Sequence, residues 1–280
     1  MNVLQLINLG SKELKSKKIL SHKLDTEVIL SKVLDKRREE ILVDFDKTVS
    51  LENINIFKGL IERRSLKEPI AYILKEKEFW SKIFEVNKNT LVPRPETELM
   101  VDKLTKIYKN KNISILDVGT GSGCILISLL SELKFSRGIG IDISSKALFI
   151  AKNNAKKHKI NNNLKFINRC FTNYFTKKFD LIVSNPPYIL TKEIKNLQED
   201  VKKYEPKIAL DGGNDGLDVI KKLIYKAKDI LKFNGLLALE IGNKQFRKVS
   251  NILVKRNFKI EYLIKDYNNN IRCLITRKIR

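Results

Sequence analysis

The sequence predicts an α/β fold, in which a mostly parallel sheet is covered by helices on both faces and preceded by a small helical domain. Three observations carry that expectation. From residue 111 onward, short apolar runs at 114–118, 138–143, 164–167, 179–184, 236–241 and 272–276 alternate with helical stretches at 123–133, 145–159 and 216–232, the pattern of crossover units feeding one sheet. The first of those strands runs straight into a glycine-rich turn and an apolar helix. Ahead of residue 75, Leu4, Ile7, Leu24, Val28, Ile29, Val33 and Leu34 recur at three- and four-residue spacing, as helix faces require.

The elements follow in order. Residues 1–74 read as a helical domain, with the solvated stretch Lys36-Arg37-Arg38-Glu39-Glu40 between helices. Residues 75–95 read as a linker built on a hairpin, because 79–92 alternates around Ile83, Phe84 and Val86 and carries the polar turn Asn87-Lys88-Asn89. Pro93 and Pro95 punctuate the chain before a helix whose N-cap is expected at Thr97 or Glu96, and residues 96–280 form the sheet domain. The ligand of such a sheet is expected at the carboxyl ends of its strands.

Composition narrows the class. With 280 residues, 42% hydrophobic, 31% charged, 12 Gly and 6 Pro, the chain is neither disordered nor collagen-like, and it is long enough for a core domain with a smaller partner. No apolar run reaches the ~18 residues of a membrane span, and the N-terminus lacks a signal-peptide core, so a soluble cytoplasmic protein is expected. Cysteines at 124, 170 and 273 without a CxxC, and histidines at 22 and 158 alone, leave no metal site or disulfide framework to expect. His158 reads as a solvated helix end.

The formal charge of +23 invites a nucleic-acid reading. Against it, 43 of the 55 basic residues are Lys, and the excess divides as +4, +9 and +10 over residues 1–75, 76–184 and 185–280. Diffuse solvated charge and a functional basic face both remain open.

Ile115-Leu116-Asp117-Val118 leads into Gly119-Thr120-Gly121-Ser122-Gly123. Glycines here let bare backbone and a helix start approach a ligand. A dinucleotide fingerprint needs a glycine at the sixth position, which is Cys124, so NAD and FAD are disfavoured. The next strand ends at Asp142, 23 residues after Gly119, where a carboxylate can accept from ribose hydroxyls or cap the following helix, a task also open to Ser144. The strand at 179–184 ends in Asn185-Pro186-Pro187-Tyr188. Consecutive prolines end a central strand rigidly and leave Asn185 and Tyr188 exposed. The Asn185 side-chain oxygen and the Pro186 carbonyl can each accept from a target NH2, and Tyr188 can cover its flat face.

GxGxG after an acidic strand end resembles the first motif of class I S-adenosylmethionine-dependent methyltransferases, and NPPY is shared by those acting on adenine N6, guanine N2 and glutamine N5. Glu68-Pro69-Ile70-Ala71-Tyr72, Glu78-Phe79-Trp80, Leu91-Val92-Pro93-Arg94-Pro95-Glu96-Thr97-Glu98, Tyr204-Glu205-Pro206 and Leu210-Asp211-Gly212-Gly213-Asn214-Asp215-Gly216 resemble the release factor glutamine methyltransferases, the PrmC/HemK family. The resemblance covers nearly the whole chain, in order. It implies a Rossmann-like mixed seven-stranded sheet with a helical substrate-docking domain, S-adenosyl-L-methionine as cofactor, and methylation of the GGQ glutamine of class 1 peptide chain release factors. Carried over, cofactor contacts fall on Gly119, Thr120, Gly121, Ser122, Gly123, Asp142 and Asn185, with Asp117 near the methionine end. Contacts to the glutamine fall on Asn185, Pro186, Pro187 and Tyr188, and a monomer is expected. Where many members carry an acidic residue and Trp beside the adenine, this chain has Arg169 and Cys170, with Phe171 next, so Cys170 or Phe171 is the candidate adenine contact. The alternatives are a nucleic-acid amino-methyltransferase, for which the ~90 residues after Tyr188 hold no spare recognition region, a ribosomal-protein glutamine methyltransferase, and a non-catalytic adaptor that binds S-adenosylmethionine.

Overall fold

The structure is a computed structural model that describes residues 1–173 and 177–279. It divides into two compact units, residues 1–76 with 198–204 and residues 77–197 with 205–280.

The first unit packs α1 (Val3–Ser16), α2 (His22–Val33), α3 (Arg38–Val43), α4 (Leu51–Ser65) and α5 (Ile70–Leu74) around Leu6, Leu14, Ile29, Leu30, Phe57 and Ile61. Asn2 and Gln5 close a capping box on α1, and Ser50 caps α4, so the helix starts are satisfied locally. Gly10 is needed where α1 meets its neighbours, because a Cβ there would stand 2.8 Å from Thr26 Cγ2 and 2.9 Å from Phe57 Cζ. Asp25 and Arg64 form a buried ion pair at 2.7 Å between α2 and α4.

A hairpin of β1 (Glu76–Phe79) and β2 (Lys82–Glu85) follows, with all but Glu76 in the second unit. Its turn is Trp80-Ser81, at φ 53° and 52°, the left-handed pair of a two-residue type I′ connection. The expected turn at 87–89 exists, but lies after the hairpin, where Asn87 Oδ1 accepts from Asn89 N at 2.9 Å. Trp80 takes the unusual backbone because Glu98 Oε1 accepts its N–H and Glu132 Oε1 its indole N–H.

The helix α6 (Pro95–Tyr108) starts with Pro95 at its first position and Arg94 as N-cap, two and three residues before the expected caps Glu96 and Thr97. Proline suits that position because its missing N–H would be orphaned anyway. There follow β3 (Ser114–Val118), α7 (Cys124–Glu132), β4 (Arg137–Asp142), α8 (Ser145–Lys157), β5 (Leu164–Asn168), β6 (Phe179–Ser184), α9 (Glu199–Tyr204, which belongs to the first unit), α10 (Asp218–Ile230), β7 (Leu231–Glu240), α11 (Phe246–Lys255), β8 (Phe258–Lys265) and β9 (Ile271–Lys278). The sheet order is β5-β4-β3-β6-β7-β9-β8, parallel except for β9, which runs antiparallel to both its neighbours.

Side chains alternate between the two faces. Ile115, Leu181 and Val183 enter one core with Leu126 and Leu130 of α7, while Leu116, Ile182 and Leu237 enter the other with Ile220 and Ile224 of α10. Chain order reverses between β3 and β6, so a crevice opens at the carboxyl ends of β4, β3 and β6. Among the described residues, no helix is long and apolar enough to cross a membrane.

Candidate active site

The crevice at those strand ends has a volume of about 1050 Å³. On one side β3 gives way to Gly119 and Gly121 at φ 72° and 56°, a backbone that L-residues with side chains rarely adopt. The Gly119 and Thr120 N–H groups donate to Ile141 O at 2.8 and 3.1 Å, which locks the turn onto β4. Among the described residues, a Cβ on Gly119 would meet nothing within 4 Å.

Gly119, Thr120, Gly121 and Ser122 line the cleft; Gly123 does not. A Cβ on Gly123 would stand 2.9 Å from Ile127 Cδ1 and 3.3 Å from Ala151 Cβ. Gly123 is thus a packing glycine, which lets α7 lie close to α8.

Asp142, at the end of β4, lines the same wall. Its Oδ2 accepts from Gly121 N and its Oδ1 from Ser144 N, both at 2.9 Å, while Ser144 Oγ accepts from Ala147 N and caps α8. The capping role thus falls to Ser144. Asp142 holds the glycine turn, and burial raises its carboxyl above the ordinary aspartate value.

Asp117 lies behind the turn, fully buried and off the cleft wall. Its Oδ2 accepts from Thr120 Oγ1 at 2.7 Å, and its Oδ1 has no partner among the described residues. Burial pushes this carboxyl up to about 7.

On the other side, β6 ends at Ser184, whose hydroxyl donates to Val118 O at 2.6 Å, and Asn185, Pro186 and Pro187 form the cleft wall. Asn185 and Tyr188 are half-buried, not exposed as expected. Tyr188 is absent from the wall and its ring packs into the second core, where its hydroxyl donates to Glu240 Oε1 at 3.3 Å. Burial, with the Glu240 charge next to it, raises that hydroxyl well above the ordinary tyrosine value. In this conformation the Tyr188 ring supports the loop.

The segment 210–216 explains itself against this loop. Ile189 N donates to Leu210 O at 3.0 Å and Gly212 N to Ile189 O at 2.8 Å. A Cβ on Gly212 would approach Tyr188 Cα to 2.8 Å, and one on Gly216 would approach Tyr188 O to 2.6 Å. Gln245 braces the same carbonyl, donating to Tyr188 O at 2.9 Å. The proline-rich loop is held likewise: Glu205 accepts from Arg94 Nη2 at 2.7 Å and from Val92 N at 3.3 Å.

Two residues of this site were not apparent in the sequence reading. Thr97, expected to cap α6, is buried in its first turn and donates to Glu240 Oε2 at 2.5 Å, while accepting from Asn185 Nδ2 at 3.4 Å. Glu240, 2% exposed at the end of β7, receives both Thr97 and Tyr188. The available signal was an acidic residue closing the apolar strand Leu236-Leu237-Ala238-Leu239. Arg169, Cys170 and Phe171 all line the cleft beyond β5, next to Asp142 and Ile143.

The family model for a methyltransferase domain matches residues 109–269, and that for the PrmC N-terminal domain matches residues 5–74. The release factor glutamine methyltransferase of Buchnera aphidicola subsp. Acyrthosiphon pisum is 41% identical, over 94% of this chain and 96% of its own. The chain belongs to the release factor glutamine methyltransferase family. The bifunctional methyltransferase of Rickettsia felis is 36% identical over 98% of this chain but 58% of its own, so the chain spans little more than half the length of that curated relative. The crystal structure of a methyltransferase from Pyrococcus furiosus, 18% identical, matches 70% of this chain and 89% of its own with a TM-score of 0.52. That likeness concerns the fold alone, and the mixed seven-stranded sheet is the one expected of a class I methyltransferase.

Proposed function

We propose that the chain methylates the side-chain amide nitrogen of the GGQ glutamine in class 1 peptide chain release factors, with S-adenosyl-L-methionine as methyl donor. One observation carries the reading: Asn185 and Pro186 stand on the wall of a cleft whose opposite side is the glycine turn and Asp142.

The residues present suit such a cofactor. The space over Gly119 is one that a Cβ would fill, Asp142 keeps lone pairs for ribose hydroxyls beyond its bonds to Gly121 and Ser144, and Asp117 Oδ1 is a buried acceptor with no partner among the described residues. Phe171 offers an apolar face for a base, with Cys170 beside it. When bound, the cofactor supplies a methyl group activated by a sulfonium.

The protein's own contribution is positioning. An amide nitrogen is a poor nucleophile because its lone pair is delocalised. The Asn185 side-chain oxygen and the Pro186 carbonyl, as paired acceptors, orient the glutamine NH2 and favour the positive charge that builds on it. Alignment of this kind is worth ~7–11 kcal/mol in favourable cases. The amide ends with an N–CH3 bond in place of one N–H, and the proton departs to solvent after transfer. In this reading the helices of residues 1–74 dock the release factor, and the enzyme works in the cytoplasm, where release factors act.

The test is incubation with labelled S-adenosylmethionine, a purified release factor, DNA and RNA together. Label on the release factor is expected; label on nucleic acid with none on the release factor would contradict the proposal.

A further inference from the structure

We infer that the buried pair Glu240–Thr97 sets which way round the side-chain amide of Asn185 sits, making Glu240 a positioning residue for the target amide. The consequence for catalysis rests on the methyl-transfer reading above; the geometry rests on hydrogen-bond polarity alone.

A threonine hydroxyl has one proton, and a carboxylate only accepts. Thr97 Oγ1 lies 2.5 Å from Glu240 Oε2 and 3.4 Å from Asn185 Nδ2. With Glu240 ionised, that proton is committed to Glu240, so Thr97 can offer Asn185 nothing but a lone pair. Asn185 must turn its NH2 toward Thr97, and its carbonyl oxygen is left for the cleft that Asn185 lines. A primary amide is nearly symmetric in shape, so packing alone would not choose between this arrangement and its half-turn. The half-turned amide would present a donor to the target NH2, which needs an acceptor.

Glu240 is built to stay in this role. It is 2% exposed at the carboxyl end of β7, and its second oxygen accepts from Tyr188 at 3.3 Å, so one carboxylate bonds Tyr188 directly and reaches Asn185 through Thr97. Burial pushes its carboxyl up; the hydroxyls of Thr97 and Tyr188 and the positive charge of Arg272 favour the ionised form, and Glu96 opposes it. Asn185 and Glu240 lie 88 and 143 positions from Thr97 in the chain, so the relay is created by the fold.

Glu240→Gln tests the inference with almost no change of shape. Its NH2 can donate to Thr97, which frees the threonine proton for Asn185 and removes the preference for one amide orientation. The expected result is a fall in kcat of about 100-fold, with KM for the release factor and Kd for S-adenosylhomocysteine each held within about threefold. Thr97→Val should fall with it, while Thr97→Ser, which keeps the hydroxyl, should recover kcat to within about threefold of wild type. Glu240→Gln turning over like wild type, equal losses in kcat and cofactor affinity, or Thr97→Ser as slow as Thr97→Val would each overturn the inference.

The side-chain NH2 resonances of Asn185 in the S-adenosylhomocysteine complex, assigned by their disappearance in Asn185→Ala, read the geometry without turnover. They should shift in Glu240→Gln and hold in Thr97→Ser, and unmoved resonances in Glu240→Gln overturn the inference. A wild-type enzyme that methylates no GGQ glutamine contradicts the proposed function alone.

Discussion

Asp117 is fully buried with one carboxylate oxygen lacking a partner among the described residues, so its proton affinity is coupled to folding. Its carboxyl is raised to about 7 from an ordinary value of 3.8. A raised acid binds more protons folded than unfolded, so its favourable contribution is complete below the unfolded value and is lost as pH rises through about 7. Asp117→Asn should therefore be more stable than wild type at pH 8, by on the order of 4 kcal/mol, with the gap closing toward pH 4. Urea unfolding of both proteins across that range checks it; a pH-independent difference would contradict it. At the same scale, Asn185→Ala should lower kcat by about 100-fold while leaving S-adenosylhomocysteine affinity nearly intact, because it removes alignment at the reacting nitrogen. Calorimetry beside single-turnover rates separates the two, and equal losses would make Asn185 chiefly a cofactor residue. The residues legible in the sequence were those whose meaning is local: Asp142 closes a strand, and Gly119 and Asn185 each follow one directly in a recognisable string. Thr97 and Glu240 carry no such string, since their partners are set by tertiary folding.

Among the elements, the glycine turn divides into two functions that one motif conceals. Gly119 opens onto the cleft, whereas Gly123 faces Ile127 and Ala151. An alanine at either site meets the left-handed backbone penalty of ~1–2 kcal/mol, but the further effects should part. Gly119→Ala should weaken S-adenosylhomocysteine binding more than it lowers Tm, and Gly123→Ala should do the reverse; calorimetry and thermal melts on both variants decide, and matching profiles would reject the division. The strands from β3 to β6 and the helices between them were legible because buried parallel strands read as continuous apolar runs. The strand β8 and helix α11 were not. The edge strand β8 buries Phe258 fully and leaves Lys259, Tyr262, Leu263 and Lys265 exposed, and α11 buries Val249 and Leu253 alone. The hairpin turn was misplaced for a related reason: Trp80-Ser81 adopts a conformation normally marked by Asn-Gly, and tertiary bonds from Trp80 to Glu98 and Glu132 stand in for that preference.

At the scale of the molecule, the charge of +23 is spread along the chain and is mostly Lys. If the charge steers an acidic partner, the Kd for a release factor should rise as NaCl is raised from low to physiological concentration, through a slower association rate. Stopped-flow association at several ionic strengths measures this, and a salt-independent rate would leave the charge without that role. The two-part organisation followed from the change in periodicity near residue 75, but the return of residues 198–204 to the first unit did not, because α9 joins it through tertiary contacts such as the bond from Tyr204 OH to Leu66 O at 3.0 Å. The central claim, methyl transfer to one glutamine amide, is tested most directly by mass spectrometry of the GGQ peptide after reaction of a release factor with the wild-type enzyme and with Asn185→Ala. A single methyl on the glutamine side-chain nitrogen, formed by wild type and nearly absent with the variant, is the predicted result. An unmodified glutamine, or a methyl on another residue or on nucleic acid, would contradict it.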